Sequence, residues 1–324
     1  MLIIICDIII IETNEVRLYI FRIGGFKLLE ELKTFISVVE LKNFTKAGEY
    51  LNLSQPSVST HIKNLESYFG VVLINRSIKQ KHIFITESGY ILYKRAKEIL
   101  NLVDLTYMDV RDTSNSFKGH IKIGASLTIG EYLLPQFLAS FSNKYPDVIV
   151  EVFIENTTVI CNHLKELNFD IGLIEGTSIY PDFNQDYFLK DKMVLATPFE
   201  YELNYSNFSF DKLKYEKWIA REEGSGTREF MDMFFNNNKI IPKNIITFGS
   251  NYAVKEAVRN GMGITITSDL VTNPAVKNNE ISVIDIDESY YRYFSLILPK
   301  NITISNVTQV FIDELKEYVS NINK

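Results

Sequence analysis

Residues 44–69 read FTKAGEYLNLSQPSVSTHIKNLESYF, and their patterning places two short helices around a tight turn. Val58, Ile62, Leu65 and Phe69 recur at steps of four, three and four, which puts one apolar stripe along the second helix. Ser54 suits the N-cap of that helix, because its hydroxyl can accept from the free amides of the first turn. Pro56 is tolerated just inside the start, and Gly70 is placed to end the helix in a left-handed conformation. The opposite face carries Gln55, Ser57, Ser59, Thr60, His61 and Lys63. That face is short, polar and lightly basic, which suits the reading of base edges in a major groove. A solvated face in an ordinary helical bundle would use the same residue types. The preceding helix separates the two readings: Thr45 can cap it, Ala47, Gly48 and Leu51 follow, and only a Leu-Ser turn stands before Gln55. Small residues at the crossing let two backbones pack steeply, so the stretch reads as a helix-turn-helix.

Working outward, Leu28, Leu32, Phe35, Ile36, Val38 and Val39 recur at helical spacing and supply a first helix to pack beneath these two. Downstream, residues 71–89 read VVLINRSIKQKHIFITESG, two extended pieces bracketing Arg76, Ser77, Lys79 and Lys81. A basic wing against phosphate has this pattern. Thr86 then caps a long helix in which Leu92, Ala96, Ile99, Val103, Thr106 and Val110 keep a four-three-four-three-four rhythm. That is close to the 3.5-residue repeat of a coiled-coil seam, whose partner is either the chain's own body or a second copy of the chain, the second being favoured. Two heads would then meet two half-sites about 34 Å apart.

The chain has 324 residues, 46% of them hydrophobic, and a formal net charge of −6. This composition is globular and long enough for two or three domains. The acidity is uneven. Residues 27–97 hold 11 Lys and Arg against 6 Asp and Glu, a net of +5, which leaves −11 for the rest. A basic head on an acidic body fits a protein in which only the head meets phosphate. Cys6 and Cys161 are far apart and form no disulfide framework, so a reducing cytoplasm is the expected compartment. His61, His82, His120 and His163 are scattered, and no metal site is expected. The opening MLIIICDIIII is too short to span a bilayer, carries Asp7 and lacks a basic start and a small-residue cleavage site. Residues 1–26 read either as an extra edge strand or as an upstream translation of a chain that begins near Lys27, the second being favoured.

Ser114 to His120 is a polar hinge containing Gly119, and the grammar beyond it alternates strands and helices. Strands are expected at His120–Ala125, Val148–Glu155, Phe169–Glu175, Met193–Ala196, Trp218–Arg221, Ile245–Phe248, Gly263–Ser268 and Tyr293–Leu298. Helices are expected at Ile129–Tyr145, Val159–Asn168, Arg228–Asn236, Tyr252–Asn260 and Val307–Ile322, with a short one opening at Asp269. This is the order of a parallel sheet covered by helices, in two α/β lobes linked by crossing strands.

In such lobes ligands sit beyond the carboxyl ends of strands, at helix N-termini whose free amides attract anions. Three ends qualify: Gly124 to Thr128 with Ser126, Glu223 to Arg228 with Ser225, Gly226 and Thr227, and Gly249 to Asn251 with Ser250; Gly263 approaches from the side. Each alone reads as helix capping. Three of them across two lobes favour a cleft for a small anion. GSGTR lacks the Gly-Lys-Ser/Thr ending of a P-loop, Ser225 has no general base near it in sequence, and Cys161-Asn162-His163 falls inside an amphipathic helix. No catalytic constellation and no cofactor are expected.

FTKAGEYLNLSQPSVSTHIKNLESYFGVVLINRS, followed by ITESGYILYKRAKEIL, closely resembles the head and linker helix of LysR-type transcriptional regulators. The α/β portion resembles their periplasmic-binding-protein-like effector domain. Arg221 to Arg228 (REEGSGTR) and Ala125 to Pro135 (ASLTIGEYLLP) are similar to the LysR subgroup controlling sulfur assimilation and carbon fixation. The resemblance implies an α/β architecture with a winged helix-turn-helix at residues 27–86 and a dimerising linker helix at 87–117. It implies an effector domain at 119–324, lobe I about 119–192 and 293–324, lobe II about 193–292. It implies that Gln55, Pro56, Ser57, Ser59, Thr60 and Lys63 face the operator with Arg76 on its backbone, and that Ser126, Thr128, Ser225, Thr227 and Ser250 line the effector cleft. Double-stranded promoter DNA, a homodimer or homotetramer, a small effector and RNA polymerase are the expected partners, and no membrane. Two departures stand out: Gly48 replaces the usual Ala, at about 1 kcal/mol of helix stability, and Ile74 replaces an aromatic in the wing. The rival reading is a cytoplasmic solute-binding or enzymatic α/β protein with an incidental helical head.

Overall fold

The computed structural model describes residues 2–5, 8–13, 16–21, 24–76, 83–111, 117–176, 178–201, 213–284, 286, 290–300 and 302–322. They fall into two units, Met1–Val110 and Arg111–Lys324.

The first unit opens with three antiparallel strands, β1 (Leu2–Ile5), β2 (Ile8–Thr13) and β3 (Val16–Phe21), a small sheet of its own rather than one edge strand. Three helices follow: α1 (Gly24–Leu41), α2 (Phe44–Leu51) and α3 (Gln55–Phe69). Asn43, not Thr45, caps α2; its Oδ1 accepts from the amides of Thr45 at 2.9 Å and Lys46 at 3.0 Å. The two-residue shift reflects the reach of an Asn side chain, which suits the cap better than a Thr already inside the turn. Ser54 caps α3 through the Ser57 amide at 3.2 Å, and Gly70 closes it at φ 67°. Val58, Ile62 and Leu65 are buried against Leu32, Phe35 and Val38 of α1, whereas Phe69 is 44% exposed. The apolar stripe therefore ends one turn earlier than its spacing suggests, because the last turn of α3 runs past the core. At Gly48 an added Cβ would stand 2.6 Å from Leu53 O. Glycine there lets α2 lie directly on the turn, a packing reason for the departure from Ala.

Strands β4 (Ile74–Arg76) and β5 (Ile83–Ile85) pair antiparallel as the base of the wing, with Ile74 buried in the same core. Thr86 ties the wing to α4 (Glu87–Arg111). Its Oγ1 accepts from Gly89 N at 2.9 Å and donates to Val72 O at 2.8 Å. Along α4, Leu92 and Ala96 are buried in the head, while Ile99, Val103 and Val110 are exposed.

The second unit is built on β6 (Gly119–Ala125), β7 (Val148–Ile154), β8 (Ile171–Gly176), β9 (Phe183–Pro198), β10 (Lys217–Arg221), β11 (Asn244–Phe248), β12 (Thr265–Ser268), β13 (Ile281–Ile284) and β14 (Tyr291–Pro299). Its helices are α5 (Leu134–Lys144), α6 (Thr157–Lys165), α7 (Gly226–Asn237), α8 (Asn251–Arg259), α9 (Asp269–Lys277) and α10 (Asn306–Ile322). The helix expected from Ile129 begins with a π-helical turn, Ile129–Leu133, ahead of Pro135. A proline supplies no amide, so the turn before it loosens.

The sheet is mixed, not parallel throughout. Strand β6 pairs parallel with β7 and β8, and β10 pairs parallel with β11, but β14 is antiparallel to both β8 and β9, and β12 and β13 are antiparallel to β9. Helix-covered strands are parallel because each crossover returns to the same end; the strands that pass between lobes run against them. Strand β9, of which only Met193–Ala196 was expected, makes the passage visible. Leu189 is buried in one lobe's core with Phe137, Phe294 and Phe311, and Met193 and Leu195 in the other's with Trp218, Phe230 and Phe234. Each such large apolar side chain contributes about 1.5–3 kcal/mol on burial.

Candidate nucleic-acid interface and effector cleft

On α3, Gln55, Pro56, Thr60 and Lys63 are exposed, and Ser57 and Ser59 are half-buried. Gln55 Nε2 donates to Ser59 Oγ at 2.9 Å, one helical turn on, which orients the amide along the outer face. Thr60 Oγ1 returns to Pro56 O at 3.0 Å, and the hydroxyls of Ser54 and Ser57 stand 2.8 Å apart. His61 departs from the expected set. Its Nδ1 lies 2.8 Å from Oγ1 of Thr34, a buried residue of α1 whose own hydrogen goes to Glu30 O at 2.9 Å. The imidazole is therefore turned toward the head's interior, because position 61 lies beside the apolar stripe rather than opposite it. Asn64 adds a parallel tie, donating to Glu31 Oε1 at 2.6 Å. Arg76 ends β4 opposite Ile83, and Lys79 and Lys81 lie outside the described residues.

In the second unit, Ser126 and Thr128 follow β6 and are fully buried, and Thr227 and Asn251 open α7 and α8 at 1% exposure. Thr128 and Thr227, from two of these three segments, converge on Arg292 of β14, itself buried. Its Nη1 donates to Thr227 Oγ1 at 3.0 Å, its Nη2 to Thr128 Oγ1 at 3.2 Å and its Nε to Asp191 Oδ2 at 2.7 Å. Glu175 Oε2 stands 3.1 Å from Nη2 as an ion-pair partner. Burial opposes the charge on Arg292, but Glu175 and Asp191 hold its pKa above the usual value. Burial pushes the Asp191 carboxyl up, against the pull of Arg292 and of the Ser268 hydroxyl at 2.6 Å. Asn251 links the next pair, donating to Thr128 Oγ1 at 3.3 Å and accepting from Arg221 Nη1 at 2.5 Å.

Of the remaining cleft residues, Ser225 and Ser250 spend their hydroxyls on caps, accepting from Thr227 N at 3.2 Å and Ala253 N at 3.1 Å. Gly226 packs its Cα against Glu175 O, where any Cβ would collide. Gly263 sets its bare Cα against the backbone of Lys217, where Ile264 N donates to Lys217 O at 2.8 Å. The glycine serves the join between β10 and the strand after it, a close backbone approach that sequence alone reads as a ligand loop. On the far side of the Gly226 contact a cleft of about 330 Å³ opens between Thr158, Ser178 and Tyr180 of one lobe and Ser225, Arg228 and Glu229 of the other. Thr158 N donates across the lobes there to Gly224 O at 3.1 Å, Asn156 Nδ2 to Glu222 Oε1 at 3.3 Å, and Ser178 Oγ to Glu229 Oε1.

Arg292, Glu175 and Asp191 were not foreseen. The available signal was YYRYFSLIL, residues 290–298, where one charge sits within an apolar and aromatic strand and so must find a buried partner. Cys161 is buried in α6 and burial pushes its thiol up to about 11, while His163 is exposed and pairs with Asn168 at 3.0 Å. A protonated thiol without an adjacent base is a packing residue. Among the described residues no group of three His, Cys, Asp or Glu could hold a metal ion, and no helix is long and apolar enough to cross a membrane.

Comparison with known proteins places both units. Residues 114–320 match the LysR substrate binding domain, and residues 29–90 match the bacterial regulatory helix-turn-helix protein, lysR family. The HTH-type transcriptional regulator CysL of Bacillus subtilis is 42% identical over 287 residues, covering 88% of this chain and 95% of that one. Full-length OxyR from Pseudomonas aeruginosa shares the fold at TM-score 0.68 and 18% identity, over 90% of this chain and 94% of that one. The CcmR regulatory domain of Synechocystis, solved in complex with 2-PG, is 27% identical with a TM-score of 0.57, over 63% of this chain and 99% of that one.

Proposed function

The chain belongs to the LysR family of bacterial regulatory helix-turn-helix proteins, and on that premise we propose that a small anion held between its two lobes sets its action at a promoter. It is a transcriptional regulator with a DNA-binding head and an effector-binding body, and not an enzyme. The observation that carries the effector reading is the convergence of Thr128, Thr227 and Asn251, from three segments of two lobes, on the Arg292 and Arg221 guanidinium groups. The free amides that open α7 and α8 add partial positive charge to the same space. A relative whose corresponding domain was solved with 2-PG supports a small ligand here. An oxyanion or sulfur metabolite is favoured, and a small carboxylate or phosphorylated metabolite is the alternative.

Ligand binding shifts the balance between two lobe arrangements by its differential affinity alone, with about 1–3 kcal/mol of coupling to the heads. Two heads joined through α4, as a dimer or a dimer of dimers, hold half-sites whose spacing or angle then changes. The protein works in the cytoplasm, where it meets promoter DNA and RNA polymerase. A gel-shift assay with its own upstream DNA tests the scheme, and affinity is expected to fall steeply with salt. Ser225→Ala combined with Thr227→Ala is expected to abolish the ligand response and spare operator binding. Loss of operator binding in that pair would overturn the division of labour between head and body.

A further inference from the structure

Two buried polar side-chain atoms among the described residues have no hydrogen-bond partner, and both lie at the carboxyl ends of the paired strands β6 and β8: Ser126 Oγ and Glu175 Oε2. Their side chains are at most 2% exposed. Ser126 N donates to Leu173 O at 2.8 Å, which sets Ser126 beside the strand that carries Glu175 two residues on. Glu175 Oε1 accepts from Thr227 at 3.3 Å, whereas Oε2 lies 3.1 Å from Arg292 Nη2 but off the line of its N–H.

Most of the surrounding polar atoms already have partners. Arg292 gives Nε, Nη1 and Nη2 to Asp191, Thr227 and Thr128, and the second oxygen of Asp191 takes the Ser268 hydroxyl. One guanidinium thus faces two carboxylates, all three side chains at most 2% exposed. A bare oxyanion brings only acceptors into this space, so it offers Glu175 Oε2 no hydrogen-bond donor. A carboxylate oxygen can only accept, and a serine hydroxyl can do either, so what both lack is a donor.

We propose that the effector carries a hydroxyl or ammonium group beside its anionic group, with Glu175 Oε2 accepting from that donor and Ser126 Oγ completing its hydrogen bonding. The anionic end faces the amides of the first turn of α7. This rests on the reading of the cleft as the effector site and narrows it from any small anion to hydroxy acids and amino acids.

Calorimetric titration of the full-length chain with acetate, glycolate and glycine, which share a carboxylate and differ in the donor, tests it directly, with sulfate as a donor-free control. Glycolate or glycine is expected to bind at least ten-fold tighter than acetate. Ser126→Ala, which removes an atom that holds nothing else in the fold, should bring that ratio below three, as should Glu175→Gln where it folds. Equal binding of the three carboxylates, or a ratio unmoved in Ser126→Ala, overturns the donor and leaves the effector cleft standing. Failure of all three and of sulfate to bind takes the cleft reading down as well.

Discussion

Nδ1 of His61 on the recognition helix lies 2.8 Å from Oγ1 of Thr34 on the first helix, so α3 is pinned to its support by a polar contact as well as by its apolar stripe. Rotation of α3 about its own axis would break that contact before it disturbed Val58 or Ile62. His61→Ala is expected to lower the stability of the head by about 1 kcal/mol, the net worth of a half-buried hydrogen bond. Urea denaturation checks the loss. Competition gel shifts against single-base operator variants should show the same base preference as the unaltered chain.

Gln55 stands at the start of α3, exposed, with its amide steadied by Ser59. Gln55→Ala should cost about 1–3 kcal/mol at the base pair it reads and relax preference there alone. Lys79→Ala, judged on charge, should weaken all sequences alike and reduce the salt slope by about 1. The same competition series, run at several salt concentrations, separates the two outcomes.

Along α4 the seam divides in two: Leu92 and Ala96 fill the head's core, and Ile99, Val103 and Val110 face outward at 44%, 39% and 72% exposure. Ile99→Asp with Val103→Asp should leave each head folded and raise the dimer dissociation constant at least ten-fold, about 1.4 kcal/mol. Sedimentation equilibrium reads this, and an unchanged constant would remove α4 from the dimer contact.

Arg292→Ala strands Asp191 and Glu175 in the interior without a counter-charge. Breaking a buried pair from one side costs about 3–5 kcal/mol. Denaturant midpoints of the effector-binding unit should fall accordingly. Arg292→Lys should recover little, since an ammonium cannot reach Asp191, Thr227 and Thr128 from one planar fork.

Glu222 accepts from Arg221 Nε at 2.7 Å and Nη2 at 2.8 Å, and takes the bond from Asn156 across the lobes. Burial alone would raise its pKa, but the Arg221 contacts outweigh it and hold the carboxyl below its usual 4.5. A depressed folded pKa adds stability that is whole above 4.5 and is lost as pH falls through the folded value. The melting temperature should therefore drop on acidification below that point, and Glu222→Gln should flatten part of the drop. Identical acid profiles for the two proteins would show that Glu222 contributes nothing.

Much of the head was legible in residue order. Ser54, Pro56 and Gly70 mark the ends of α3, and Val58, Ile62 and Leu65 its buried side, because caps and 3.6-residue periodicity act over a few neighbouring residues. The same locality missed the partner of His61, which lies 27 positions away, and chose Thr45 over Asn43 two residues before it. In the body, alternation located most strands but not their directions, since whether β14 runs with or against β8 depends on a connection that crosses between lobes. Hydroxyls and glycines at helix starts pointed to Ser126, Thr128 and Thr227. Gly263 carries the same signature and meets the Lys217 backbone, because close backbone packing and ligand approach demand the same missing side chain.

The order of residues determined what depends on near neighbours: the two capped helices, the outward polar face, the long seam and the lobes' alternation. Tertiary structure alone decided that Arg292 gathers Thr128, Thr227, Asp191 and Glu175 from four separate segments into one buried network. A charge can be kept from water only where distant parts of the chain bring it partners, and that meeting is settled by the packing of whole lobes.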